Sequence, residues 1–474
     1  VREFGKCLEV DADCVPCLRA LGWTHWARSE WDRAEEVWQK ILDERPGDDK
    51  ARDAIANARR QAKLMPSLRA PVGEKATGGG ATLELVAKIQ GYDPNPTDDG
   101  DTYDEQVHSP KSARFTRDGK KVYVNALEGK RTLIYDAASY RKLGTIEHTF
   151  RKGNAKLFQG DKTLFDYRFT RKSRLGHPNY FRGKPVESEL SHGGKYLWVP
   201  YYRRDFDRWA TSPSAVAIID TATDRIVRVM PTGPIPKYVV ASPDDRYMAV
   251  IHWGDNTVGL IDTSSGDPKK FRYVAHMVAG DRLDLSTIKA GVSRDAVCGH
   301  CLRGAVFTPD GRELLVARMT GGGLAGFDVE ERKYLGVVGG IKPTPRHLVL
   351  SPDGKTIYAS SNSSGYVSKA PLADVIADLR GTGDAHWQAV DVGRGARTIE
   401  LSPDGNYIFA AVNISSRLVM VDARTMKVVA RLRLDSFPVG LAVSPDGRAV
   451  WVTAQGRRGK ASGNTVSIVR VSYP

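Results

Sequence analysis

Residues Ser444–Ala454 read SPDGRAVWVTA, and that phrase decides the fold. Pro at its second position holds φ at about −65°, and Gly at its fourth supplies φ > 0, so SPDG reads as a tight turn. Val450 and Val452 then alternate along the next run, the period of a strand with one buried face. The phrase recurs from Thr116 (TRDGKKVYVNA), Ser191 (SHGGKYLWVPY), Ser242 (SPDDRYMAVIH), Thr308 (TPDGRELLVAR), Ser351 (SPDGKTIYASS) and Ser402 (SPDGNYIFAAV). A sequence repeated seven times is built from units that bury their faces on each other.

The anchors are spaced 75, 51, 66, 43, 51 and 42 residues apart, by subtraction. The shortest spacings match the roughly 40–45 residues of a four-stranded propeller blade, and the longer ones read as blades with insertions. A second strand, often ending in Asp (Asp220, Asp262, Asp422), and a third (DRIVRV, MKVVARL) follow each turn. The expected fold is mainly β: a seven-bladed β-propeller over residues 82–474. SPDGRAVWVTA followed by NTVSIVRV resembles the YVTN family of propeller repeats; blade 2 departs most, with SHGG and a basic insertion at about 147–188. The last repeat ends at Ser467–Val471 without an outer strand, so Thr82–Ile89 (TLELVAKI) is expected to pair into the last blade and close the ring.

Residues 1–64 carry no strand pattern. Leu18, Leu21, Gly22, His25, Ala34, Trp38, Ile41 and Pro46 fall at the spacing of a tetratricopeptide repeat, which this short α-helical segment resembles. Val1–Asp11 reads as the tail of a preceding repeat, and Asp48–Lys63 as a capping helix. The expectation is therefore an N-terminally truncated array, with the natural N-terminus absent. Residues 65–81, with Pro66, Pro71 and Gly78–Gly80, read as a flexible linker.

The net charge is +14, and residues 1–64 hold 12 Lys+Arg against 13 Asp+Glu, so the excess belongs to the propeller. Such a surface favours anionic partners, or is simply basic without one. No run of 18 apolar residues exists, so no transmembrane helix is expected. Cys14 and Cys17, like Cys298 and Cys301, have CxxC spacing and read as local disulfides or free thiols; Cys7 and Cys17 also occupy helix-packing slots. A zinc site shared between the two pairs is disfavoured by their separation.

Five residues before each anchor stand Lys111, Val186, Lys237, Arg303, Arg346, Arg397 and Val439. Equivalent positions of a ring converge on its axis, so five cations would meet at one tunnel mouth, opposite the turns. They form a candidate funnel for carboxylate, phosphate or sulfate, or they pair with acidic neighbours. The second strands end at the same mouth with Tyr201, Tyr202, Trp253 and Arg318, suited to an aromatic, sugar or peptide ligand. His252, His300 and His347 fall on adjacent blades and are the candidate transition-metal ligands, although lone histidines are more often structural. No other cofactor is indicated. Arg151–Lys184 interleaves ten basic residues with Phe150, Phe158, Phe165, Tyr167, Phe169, Tyr180 and Phe181, which suits nucleic acid, lipid head groups or a protein, or a plain solvated hairpin.

No nucleophile elbow, HExxH or phosphate loop is present. The resemblances imply a non-enzymatic scaffold of the bacterial cell envelope or periplasm. Its mouth would take an anionic or protein partner while the helices dock a second protein. The alternative is a metal- or Arg-dependent hydrolase or lyase, lactonase-like, at the same mouth. Nucleic-acid binding is less favoured and would show steep salt dependence.

Overall fold

A computed structural model of the chain describes residues 7–27, 31–158, 181–204, 207, 209–210, 213–283, 292–456 and 463–473. It is a seven-bladed β-propeller preceded by helices. Blade 1 runs Pro110–Phe115, Lys121–Ala126, Arg131–Asp136 and Lys142–Glu147 as an antiparallel meander, innermost strand first. Blades 3 to 6 repeat this order from Pro236, Leu302, Pro345 and Ala396. Blade 2 is built on Tyr196–Arg204, with the short strand Glu189–Ser191 innermost. Blade 7 starts at Pro438 and ends with Thr465–Ser472. Ala81–Gln90 pairs antiparallel with Thr465–Ser472 as its fourth strand, which closes the ring.

Each turn is locked the same way. The Ser242 hydroxyl donates to Asp244 at 2.6 Å and accepts from the Tyr247 N–H at 2.9 Å. The same pair of bonds holds at Thr116, Thr308, Ser351, Ser402 and Ser444. The side chain thereby stands in for a backbone turn partner. Blade 2 lacks the Asp: Ser191 accepts from Trp198 instead, and a 3-10 turn spans His192–Gly194. The turn glycines also serve packing. A Cβ on Gly354, Gly405 or Gly447 would lie 2.5, 2.8 or 3.0 Å from Pro309, Pro352 or Pro403 of the preceding blade.

Between blades the core is apolar. Trp451 of blade 7, fully buried, packs its ring edge-on to Phe115 of blade 1 at 6.0 Å, and Leu314, Val316 and Phe327 of blade 4 meet Ile251 and Leu260 of blade 3. Helix α1 (Val15–Ala27) lies against α2 (Trp31–Glu44), and α3 (Asp49–Leu68) packs on α2. Gly22 permits the first crossing, because a Cβ there would lie 2.2 Å from the Trp38 indole nitrogen.

Two expectations need correction, and the insertion follows the hairpin reading of its sequence. The segment 65–81 is not an unstructured linker: α3 continues to Leu68, and Lys75–Gly78 forms a strand on Ala81–Gln90. Cys14 and Cys17 are not bonded to each other; the disulfide joins Cys7 to Cys17, leaving Cys14 reduced. Cys14 precedes the first turn of α1, while Cys17 faces the preceding segment. The insertion begins as a hairpin, Thr149–Phe150 against Phe181–Pro185, whose Phe150, Phe158 and Phe181 pack together with ring centroids 5.2 to 6.0 Å apart. These three aromatics build a small core rather than a binding face; Phe165, Tyr167, Phe169 and Tyr180 lie outside the described residues.

Gly354→Ala should lower Tm by several degrees more than Gly311→Ala. Both glycines have φ near 70°, at 70° and 73°, but only the first Cβ meets a proline. The left-handed conformation costs each variant about 1–2 kcal/mol. Equal losses in thermal denaturation would show that the proline contact carries no weight.

Candidate functional site

The innermost strands share a bulge. In six blades the register slips just past the strand's first residue, so Lys111, Lys237, Arg303, Arg346, Arg397 and Val439 have no opposite partner. A bulge re-aims the side chain it carries. Here it turns five cations toward the axis, at the end of the channel opposite the turns. Lys111, Arg303 and Arg346 are 8, 4 and 8 % exposed, so the cluster is largely dehydrated.

Contacts across the axis show the convergence. Arg303 of blade 4 binds Glu187 of blade 2 at 2.6 Å and the Lys237 carbonyl of blade 3. The Tyr238 hydroxyl of blade 3 meets His347 of blade 5 at 3.2 Å. Burial, then Arg397, Arg303 and Arg346, push the Lys111 ammonium well below the ordinary lysine range. Burial, then Arg397 and Arg303, lower Arg346; burial, then Arg303, bring Arg397 to about 10. Burial opposes ionisation of Glu187, but Arg303 first, then Lys111 and Arg346, hold it below the usual carboxylate range. Among the described residues Lys111, Arg346 and Arg397 have no ion-pair partner. Four cations therefore surround one carboxylate.

Lys237 stands slightly apart. It pairs with Asp295 and lies over the Trp253 ring at 3.7 Å and the Tyr202 ring at 5.2 Å. The Trp253 N–H donates to the Asp295 carbonyl at 3.1 Å. Burial brings the ammonium to about 7 despite Asp295, with Arg303 and Arg346 acting in the same direction. The pair thus forms a semi-aromatic seat beside the ring.

The other named residues are placed differently. Tyr201 is a core residue: it is fully buried and its hydroxyl bonds His148 at 2.9 Å. Strand alternation sends it into the sheet packing while Tyr202 faces the mouth. His252 is also buried, meeting Thr257 at 2.8 Å and receiving the Gly233 N–H at 3.1 Å. His300 bonds Arg318 at 3.0 Å, beside the disulfide that joins Cys298 to Cys301, and His347 points into the channel. The three histidines do not gather as metal ligands: among the described residues the one close group is Cys7, Cys14 and Cys17. Arg318 stays with His300 rather than joining the five-cation ring.

Sequence reading missed the carboxylates. Arg114, Glu189 and Glu400 stand two residues before their anchors and form a second tier nearer the turns, with Arg114 at 3.1 Å from Glu189 and 3.9 Å from Glu400. Reading that column as well as the outer one would have found them. Burial raises Glu400 to about 7, with Arg114 opposing. Asp295 lies in an insertion outside the repeat frame and left no such signal.

No family model matches the chain, and no curated protein matches it. Solved structures do. A Kuenenia stuttgartiensis hydrazine synthase chain is similar at 15 % identity, covering 76 % of this chain and 95 % of its own, with a TM-score of 0.53. The Cps50 (Swd1) β-propeller domain of Myceliophteria thermophila matches at 14 % identity over 77 % and 97 %, TM-score 0.54. A chain of the mitotic checkpoint complex matches at 12 % over 78 % and 89 %, TM-score 0.50. At these identities the likeness establishes a propeller and nothing narrower. No helix among the described residues is long and apolar enough to cross a membrane.

Burial holds both His148 and His347 at about 3, so both are neutral in the folded protein. Their folded values lie below the unfolded one. Their stabilisation is complete above about pH 6.5 and is lost as pH falls from there towards 3, by about 1.4 kcal/mol per unit for each group. Denaturant midpoints measured between pH 7 and 4 should therefore fall, and less steeply in His148→Gln. An unchanged slope in that variant would remove His148 from the account.

Proposed function

We propose that the chain is a non-enzymatic binding scaffold whose channel mouth holds an anionic group of a partner, such as a carboxylate-rich segment of a protein. The observation that carries this reading is the ring of Lys111, Arg303, Arg346 and Arg397 around the single carboxylate of Glu187. Dehydrated like charges repel strongly, and an incoming anion relieves that repulsion. Guanidinium forks would bind its oxygens in pairs. The Lys237–Trp253–Tyr202 seat offers an apolar neighbour for the rest of the partner.

Two resemblances support the wider reading. YVTN-like repeats accompany recognition modules of bacterial envelopes, and a tetratricopeptide-like hairpin would dock a second protein. The disulfides Cys7–Cys17 and Cys298–Cys301 favour an oxidising, extracytoplasmic compartment.

Calorimetric titration with sulfate and with a short peptide ending in acidic residues tests the site. Arg346→Gln with Arg397→Gln should weaken binding at least tenfold, or about 1.4 kcal/mol. Lys237 loses its proton as pH rises through about 7, so affinity should also be lower at pH 8 than at pH 6. Equal affinity in the double variant would place any anion elsewhere.

A further inference from the structure

We infer that Cys7, Cys14 and Cys17 form a binding site for a thiophilic d10 cation, Cu(I) or Zn2+, when the cluster is reduced. The site lies on the helical segment and is independent of the channel. The three sulfurs all lie within 4.8 Å of one another. The Cys7 and Cys14 sulfurs are 3.9 Å apart. Two thiolates sharing one ion at about 2.3 Å stand about 3.8 Å apart in a tetrahedral site and about 4.0 Å in a trigonal one. That separation is already present before any ion enters. Cys7 and Cys17 have Cα atoms 6.4 Å apart, so opening their disulfide leaves both thiols beside Cys14.

Two of the three cysteines are brought together by one helix start. The Leu18 N–H donates to the Cys14 carbonyl at 2.9 Å, so Cys14 sits at the start of α1 and Cys17 in its first turn. All three cysteines are half-buried, shielded but reachable. Soft thiolates select Cu(I) and Zn2+ over harder ions. Three thiolates complete a trigonal Cu(I) site, whereas Zn2+ would keep water in its fourth position.

The cluster therefore has two exclusive states. A dithiol reductant gives two electrons and two protons to the Cys7–Cys17 disulfide and itself becomes a disulfide. The three resulting thiols then release their protons as the ion binds. Exchange with an external disulfide, which takes up the two electrons and leaves as a dithiol, re-forms the Cys7–Cys17 bond and expels the ion.

The test uses the full chain carrying Cys298→Ser and Cys301→Ser, which removes the other pair. Protein reduced with a phosphine and desalted anaerobically is titrated with Cu(I) against a competing chelator, and separately with Zn2+. One equivalent of either ion, with thiolate-to-copper absorption in the Cu(I) arm, is the expected result. Cys14→Ser spares Cys7 and Cys17: the oxidised variant, with that disulfide formed, should keep a native circular dichroism spectrum, and the reduced variant should bind the ion at least 100-fold more weakly. The oxidised protein should take up none. Substoichiometric uptake, equal uptake by the oxidised form, or full affinity in Cys14→Ser would each overturn the site.

Discussion

The pairing of Ala81–Gln90 with Thr465–Ser472 is the constraint on which the rest of the propeller depends. Six blades are complete meanders, but the seventh has only three strands of its own. Without the early strand, blade 7 would expose an edge and the ring would have no fixed circumference. Closure sets the angle between blades, and that angle aims the innermost strands at a common axis. The convergence of Lys111, Arg303, Arg346 and Arg397 follows from it.

That convergence runs against electrostatics. Removing cations from water and placing them side by side is costly, and here one carboxylate, Glu187, offsets four of them. The backbone pays for the arrangement: extensive sheet packing fixes the bulges, and the side chains have little freedom to turn away. Polar groups held in an unfavourable setting by a rigid scaffold are characteristic of binding sites, where the ligand completes the balance. The second tier, Arg114 with Glu189 and Glu400, is close to neutral and separates the cationic end from the turn end.

Much of this was legible because repetition supplies its own alignment. Seven SPDG-like anchors gave the blade number, the strand order, the closing strand and the column holding Lys111, Lys237, Arg303, Arg346 and Arg397. What lay outside the repeat frame was not legible. Asp295 comes from an insertion, and Glu187 sits one position beyond the column because blade 2 has lost its regular turn. Tyr201 and His252 were misplaced for a different reason: adjacent residues of a strand face opposite ways, and position along the chain alone does not say which one meets the channel. The cysteine pairing failed likewise, since Cys7 approaches Cys17 through the helical fold and not through sequence proximity.

The glycine-on-proline contacts between successive turns set one end of the propeller apart from the other. Gly354, Gly405 and Gly447 leave no room for a side chain against Pro309, Pro352 and Pro403. The long connections before blades 2 and 4, by contrast, join an outer strand to the next inner one and so emerge on the cationic face. The first turns keep a fixed pitch, and the connections between blades take the two longest insertions. Contacts can therefore be added around the channel mouth without retuning the wheel that carries them.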